Sequence, residues 1–153
     1  MGTRTIGIVI EGAAGRLGST QHLRSLMAIR GEGGLPLAAG DRLVPEPVLL
    51  GRNPARLAAL AAAHDGLRWS TERDACLADP AIAIYFDASA TGGRPERAGA
   101  AIAAAKHVHL EKPIAETLRG VGSGPPRGSR RAEERGRAGQ VVLARTAQAQ
   151  KAL

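Results

Sequence analysis

The sequence predicts an α/β fold, a doubly wound parallel sheet, on three observations. An apolar β-branched run, Ile6-Gly7-Ile8-Val9-Ile10, passes directly into a glycine-rich turn and then a helical pattern. Short apolar runs then alternate with small-residue helical patterns as far as Leu110, in the order β-α-β-α-β-α-β-α-β. The chain is also rich in Ala and Gly, with Trp69, Tyr85 and Phe86 as its whole aromatic set. A core built from such small aliphatic side chains suits helices packed closely on a sheet, and 153 residues suffice for one domain that buries most of its apolar surface.

The first strand is apolar throughout, as expected of a strand covered on both faces. It ends in Gly12-Ala13-Ala14-Gly15-Arg16-Leu17-Gly18, a G-x-x-G-x-x-G variant of the dinucleotide fingerprint. Gly12 lets the chain turn sharply out of the strand. Gly15 has no Cβ, so backbone can approach a pyrophosphate, and Gly18 lets the new helix pack against the sheet. Ala13, Ala14, Arg16 and Leu17 complete the turn, whose N–H groups meet a phosphate at the positive end of the helix dipole. A tight strand–helix turn without a ligand would need the same glycines.

A helix is expected over about 16–30, with Leu17, Leu23, Leu26 and Met27 near helical spacing and Gly31 as its stop. His22 lies in it as a packing or solvent-facing residue. Residues 31–47 read as a long loop. The second strand, Val48-Leu49-Leu50, ends in Gly51-Arg52-Asn53-Pro54, where an adenosine ribose would lie. An acidic residue here would accept from a ribose 2′-OH. Arg52 instead suits a 2′-phosphate, which favours NADP over NAD, with Asn53 beside it. The alternative is a solvated loop arginine.

After a helix over 55–64, a third strand includes Leu67-Arg68-Trp69, and Ser70 or Thr71 can cap the next helix. The fourth strand runs from Ile82 to Ala88 and is followed by Ser89-Ala90-Thr91-Gly92-Gly93. Turns at the carboxyl ends of parallel strands are where such sheets bind ligands. Ser89 and Thr91 can therefore donate to a cofactor, or serve the turn itself. A small-residue helix over 95–105 leads to the fifth strand, 106–110, closed by Glu111-Lys112-Pro113. Pro113 imposes extended or turn geometry on Lys112 and so holds an ammonium at the carboxyl edge of the sheet. His107 and His109 share a face without a carboxylate or cysteine at ligand spacing, so no metal site is expected.

GAAGRLG and KHVHLEKPIAET together resemble the glucose-fructose oxidoreductase/inositol dehydrogenase/rhizopine-catabolism (Gfo/Idh/MocA) family over residues 4–118. The first motif alone is also similar to dihydrodipicolinate reductases; the second favours the former family. The resemblance implies an N-terminal Rossmann domain that binds NAD or NADP. It also implies that Lys112 lies by nicotinamide and substrate in a catalytic role, supported by Glu111 and Pro113. The loop Ser89-Ala90-Thr91-Gly92-Gly93 departs from the Pro-Asn…His pattern of many members. The family's second α/β domain, which holds the substrate, is not among these residues.

Residues 119–153 differ in character. Residues 1–118 hold 13 Lys and Arg against 12 Asp and Glu, while 119–153 hold 8 against 2, so the net +7 belongs mostly to the tail. The tail is dominated by Gly, Pro and Arg and has no periodicity. Codons permitted for it, read one base later, allow an alanine-rich helix and then a Gly-Val-Val-Gln strand. The expectation is therefore a dinucleotide-binding domain over 1–118 and an out-of-frame, poorly folded tail over 119–153.

Cys76 is the sole cysteine, which excludes an internal disulfide and agrees with the cytoplasm. Met1 to Arg4 runs straight into a strand, leaving no signal peptide, and no apolar run would span a bilayer. The tail lacks the aromatic interleaving of nucleic-acid binders, so neither a nucleic acid nor a membrane is an expected partner. Sheet surface that a second domain would cover leaves self-association open. The expected function is the cofactor-binding part of an NAD(P)-dependent oxidoreductase for a sugar, polyol or related substrate, inactive alone. The alternative is a stand-alone dinucleotide-binding or sensor module without catalysis.

Overall fold

The computed structural model describes residues 2–116 and 141–143. Its strands are β1 (Thr3–Glu11), β2 (Leu35–Pro36), β3 (Arg42–Leu50), β4 (Arg68–Ser70), β5 (Ile82–Asp87), β6 (His107–Leu110) and β7 (Val141–Leu143). Its helices are α1 (Arg24–Gly31), α2 (Pro54–Ala62), α3 (Arg73–Ala78) and α4 (Arg94–Ala103). The expected division at residue 118 and the unfolded tail lie outside the described residues, apart from 141–143.

Strands β4, β3, β1, β5 and β6 form a parallel core in that spatial order. The doubly wound expectation holds for these five. The sheet as a whole is mixed, because β2 pairs antiparallel with the start of β3, and β7 pairs antiparallel with β6. Helices cover both faces, as the apolar runs require. On one face Ile10, Leu49 and Ala13 pack with Leu23, Leu57 and Ala61. On the other, Val9, Val48, Tyr85 and Val108 pack with Cys76, Leu77, Ala98 and Ala101. The parity of the strands assigns these faces, since side chains alternate along a strand.

The main correction concerns 31–47. Residues 42–47 are not loop; they extend β3 to nine residues paired with the whole of β1, Thr3 against Arg42 through Glu11 against Leu50. Pro45 and Pro47 hide this from sequence. Arg42 donates its N–H to Gly2 O on the β1 side, whereas Gly51 donates to Ser70 O on the outer side. Odd-numbered residues of β3 thus turn their N–H positions outward. Pro45 and Pro47 lie between the stretches paired to β2 and β4, so their missing donors break no ladder bond.

The first helix begins at residue 16, runs through a π-helical segment, Gly18–Leu23, and continues as α1. Ser19, Thr20 and Ser25 hydroxyls donate to the carbonyls of Gly15, Arg16 and Gln21, each four residues back. Such back-bonds compete with regular helical bonding and loosen its register. Among the described residues, no helix is long and apolar enough to cross a membrane.

Candidate functional site

The chain passes from β1 outward to β3 and β4, then returns to β5 and β6 on the opposite side of β1. The order therefore reverses between β1 and β5, and a crevice opens at their carboxyl ends. Backbone bonds align these ends. Gly12 and Ala13 donate to Leu50 O (2.9 and 3.2 Å), Ala88 donates to Glu11 O (2.9 Å), and Glu111 donates to Asp87 O (3.0 Å). From β3 to β6 the edge spans three strand spacings, about 14 Å.

The glycine turn occupies this edge. Gly12 has φ +81°, and a Cβ there would lie 2.7 Å from Ser89 Cα and N. The turn after β1 and the loop after β5 thus meet backbone to backbone, which only glycine permits. A Cβ on Gly18 would lie 2.9 Å from Ala13 Cα, so the helix returns onto the turn that opened it. Gly15 and Arg16 are exposed, and Ala13 is buried. The N–H groups of Gly12 and Ala13 are committed to Leu50, and that of Gly15 to Gly12 O (2.9 Å). Ala14 N–H finds no partner among the described residues. An anion would therefore be met by Ala14 and the opening of the helix rather than by the whole turn.

Arg52 and Asn53 follow the end of β3, both exposed. Asn53 caps α2, its side-chain oxygen accepting from Arg56 N at 3.0 Å, with Pro54 in the first turn. Arg52 pairs with no carboxylate among the described residues. Ser89 is directed inward: its N–H and hydroxyl both donate to Asp87 Oδ1, at 2.9 and 2.5 Å. Thr91 O accepts from Arg94 N at 3.0 Å, at the entry to α4. Both therefore serve the turn in this structure. Lys112 and Pro113 are exposed after β6, and Glu111 is half-buried.

Beneath the edge lies a charged cluster that sequence reading did not find. Glu11 and Asp87 end β1 and β5 on the same face, in register with each other. Arg73 holds Glu11 through two bonds, 2.7 and 2.5 Å, and Tyr85 O–H donates to the same carboxylate. Arg97 donates to Asp87 at 2.8 Å and comes within 3.9 Å of Glu11. Burial and the Glu11 carboxylate together push the Tyr85 phenol well above its usual range. Asp87 is fully buried. The signal in the sequence was a carboxylate closing each of two apolar runs, Ile6–Ile10 and Ile82–Phe86.

Arg94 is also buried, and it donates to the carbonyls of Ser89, Glu111 and Pro113. On the opposite face Phe86 stacks on His109, with ring centroids 4.2 Å apart, and His22 packs tilted against Phe86 at 4.4 Å. His22 Nε2 lies 2.7 Å from Glu111 Oε1, although its N–H is not aimed at that oxygen. Burial, reinforced by His22, holds the His109 imidazole below its ordinary pKa. Of the two expected roles His22 takes the packing one, its ring against Phe86, and it also lies beside Glu111 in the turn that carries Lys112.

No family model matches the chain. It is 43% identical over 117 residues to a D-xylose dehydrogenase of Paenarthrobacter nicotinovorans, a match covering 76% of this chain and 30% of that protein. A levoglucosan dehydrogenase solved with NADH and levoglucosan superposes with a TM-score of 0.65 at 23% identity, over 78% of this chain and 31% of that one. An apo scyllo-inositol dehydrogenase from Lactobacillus casei gives 0.58 at 22% identity, over 80% and 32%. The chain spans about three tenths of the length of the relatives it matches.

Proposed function

We propose that the chain is, through its Rossmann domain, part of a Gfo/Idh/MocA oxidoreductase, and that it binds a nicotinamide dinucleotide along the carboxyl edge of its parallel sheet; the 43% identity to a D-xylose dehydrogenase supports this reading. The observation that carries this reading is the contact of Gly12 with Ser89 at the point where the strand order reverses. The pyrophosphate would lie at the opening of the helix, against Gly12 to Gly18. Arg52 and Asn53 would meet the adenosine ribose, Ser89 and Thr91 the middle of the crevice, and Lys112 with Glu111 and Pro113 the nicotinamide end.

The whole protein would be a dehydrogenase of a sugar or polyol. D-xylose, levoglucosan and inositol dehydrogenases among its relatives support that class. The dinucleotide would supply the hydride chemistry. Lys112 would orient or polarise the substrate oxygen, and this chain's other residues would bind and orient the cofactor. Residues 1–118 would carry the binding domain, with Val141–Leu143 pairing beside β6 at the edge of its sheet.

The finer preference is for NADP. An exposed guanidinium at the end of β3, unpaired among the described residues, favours a 2′-phosphate. Calorimetric titration of the chain with NADH and with NADPH tests both levels. Binding of either is expected, with NADPH tighter, and Arg52→Ala should weaken NADPH about tenfold while leaving NADH unchanged. Failure of both nucleotides to bind would refute the assignment. Equal loss of both in Arg52→Ala would refute the role of Arg52.

A further inference from the structure

We infer that Arg94 is a positioning residue that fixes the turn carrying Lys112 and ties it to the loop packed on the glycine turn. The inference rests on the dinucleotide-binding reading above. Arg94 is 2% exposed, and a guanidinium so buried is costly unless its donors are matched. Its terminal donors are matched by backbone, not by a carboxylate. Nη1 donates to Glu111 O at 2.7 Å and to Pro113 O, and Nη2 donates to Ser89 O. The nearest carboxylate, Asp87, lies 3.8 Å from Nε without a hydrogen bond, and its short contact is to Arg97.

One nitrogen therefore holds the carbonyls on either side of Lys112, leaving its ammonium exposed and its backbone fixed. The other nitrogen holds Ser89, whose backbone lies where a Cβ on Gly12 would be. A planar fork can bridge two loops in this way; a lysine has a single nitrogen and cannot hold the same spread of acceptors. Glu111, held in place by Arg94 through its carbonyl, is also met by His22 from the helix that the glycine turn opens. The two ends of the crevice are linked through these contacts, so the Lys112 turn keeps its place relative to the phosphate turn.

Positioning makes a demand that general packing does not. Loss of Arg94 should weaken contacts at the nicotinamide end and spare the adenosine end. The full chain is titrated with NADH and with ADP-ribose, as wild type, Arg94→Lys, Lys112→Ala and the double variant. Arg94→Lys is expected to lose about tenfold in NADH affinity and to hold ADP-ribose within about twofold. Lys112→Ala should do the same, and the double variant should lose no more than either single one, because both act on one contact. Equal losses for NADH and ADP-ribose, no loss for either, or losses that multiply in the double variant would each overturn the inference. So would an Arg94→Lys chain that fails to fold, since that would make Arg94 a core residue. A wild-type chain that binds neither ligand refutes the dinucleotide reading itself and this inference with it.

Discussion

The glycine turn offers the sharpest separation of fold from site, through Gly12→Ala and Gly15→Ala made in parallel. At Gly12 the backbone lies at φ +81°, where a side chain costs about 1–2 kcal/mol. The new Cβ would lie 2.7 Å from Ser89 Cα and N and 2.9 Å from Ala88 C. These are backbone atoms that cannot rotate aside, so the strands must shift, at about 1–3 kcal/mol. The expected loss is about 2–5 kcal/mol, a large share of the roughly 5–15 kcal/mol that holds a domain together. At Gly15 a Cβ would meet only Gly12 O, at 3.0 Å. Its expected cost is below about 1 kcal/mol. With a urea slope of about 1.5 kcal/mol/M, the unfolding midpoint should fall by about 1.5–3 M in Gly12→Ala and barely move in Gly15→Ala. NADH affinity should fall at least about tenfold in the well-folded Gly15→Ala, because the new methyl intrudes where a pyrophosphate would approach. An unchanged midpoint for Gly12→Ala would refute the close approach of the two turns. A Gly15→Ala chain that binds NADH like wild type would refute the phosphate cradle.

Two further outcomes concern the charged groups. His109 is held below its ordinary pKa by burial and by His22, with Glu111 acting in the opposite direction. The unfolded chain takes up that proton first, so this contribution to stability is present above about pH 6.5 and is lost as pH falls through the folded-state value. Thermal melts from pH 7.5 to 5 should therefore show a smaller decline in Tm for His109→Phe than for wild type; an unchanged decline would locate the effect elsewhere. Arg97→Met removes the 2.8 Å partner of the fully buried Asp87 and should cost about 3 kcal/mol in urea unfolding. Adding Asp87→Asn should recover part of that loss by removing the uncompensated charge. No recovery would mean that Arg97 acts mainly through its contacts to the loop carbonyls of Ala90 and Gly92.

Sequence by itself determined the parallel core, because apolar runs and glycine punctuation are local properties that backbone sterics and burial translate directly into strands and turns. It also determined the order of the turns after β1, β3, β5 and β6, and hence that Gly12, Arg52, Ser89 and Lys112 share one edge: parallel strands all present their carboxyl ends on the same side. The extension of β3 through Pro45 and Pro47 was not legible, because a proline's fitness for a strand depends on which neighbour its missing N–H would have faced. Glu11 and Asp87 were visible only as polar ends of strands. Their partners Arg73 and Arg97 come from helices 62 and 10 residues away, and only packing brings those guanidinium groups under the edge. In the sequence Arg94 is only a loop arginine just ahead of the helix expected over 95–105. Its burial, and its hold on carbonyls 5, 17 and 19 residues away, exist only once the loops after β5 and β6 are folded side by side. Pattern fixes which backbone turns line the edge; the long-range hydrogen bonds that hold those turns in place are decided by tertiary structure, because no local spacing encodes them.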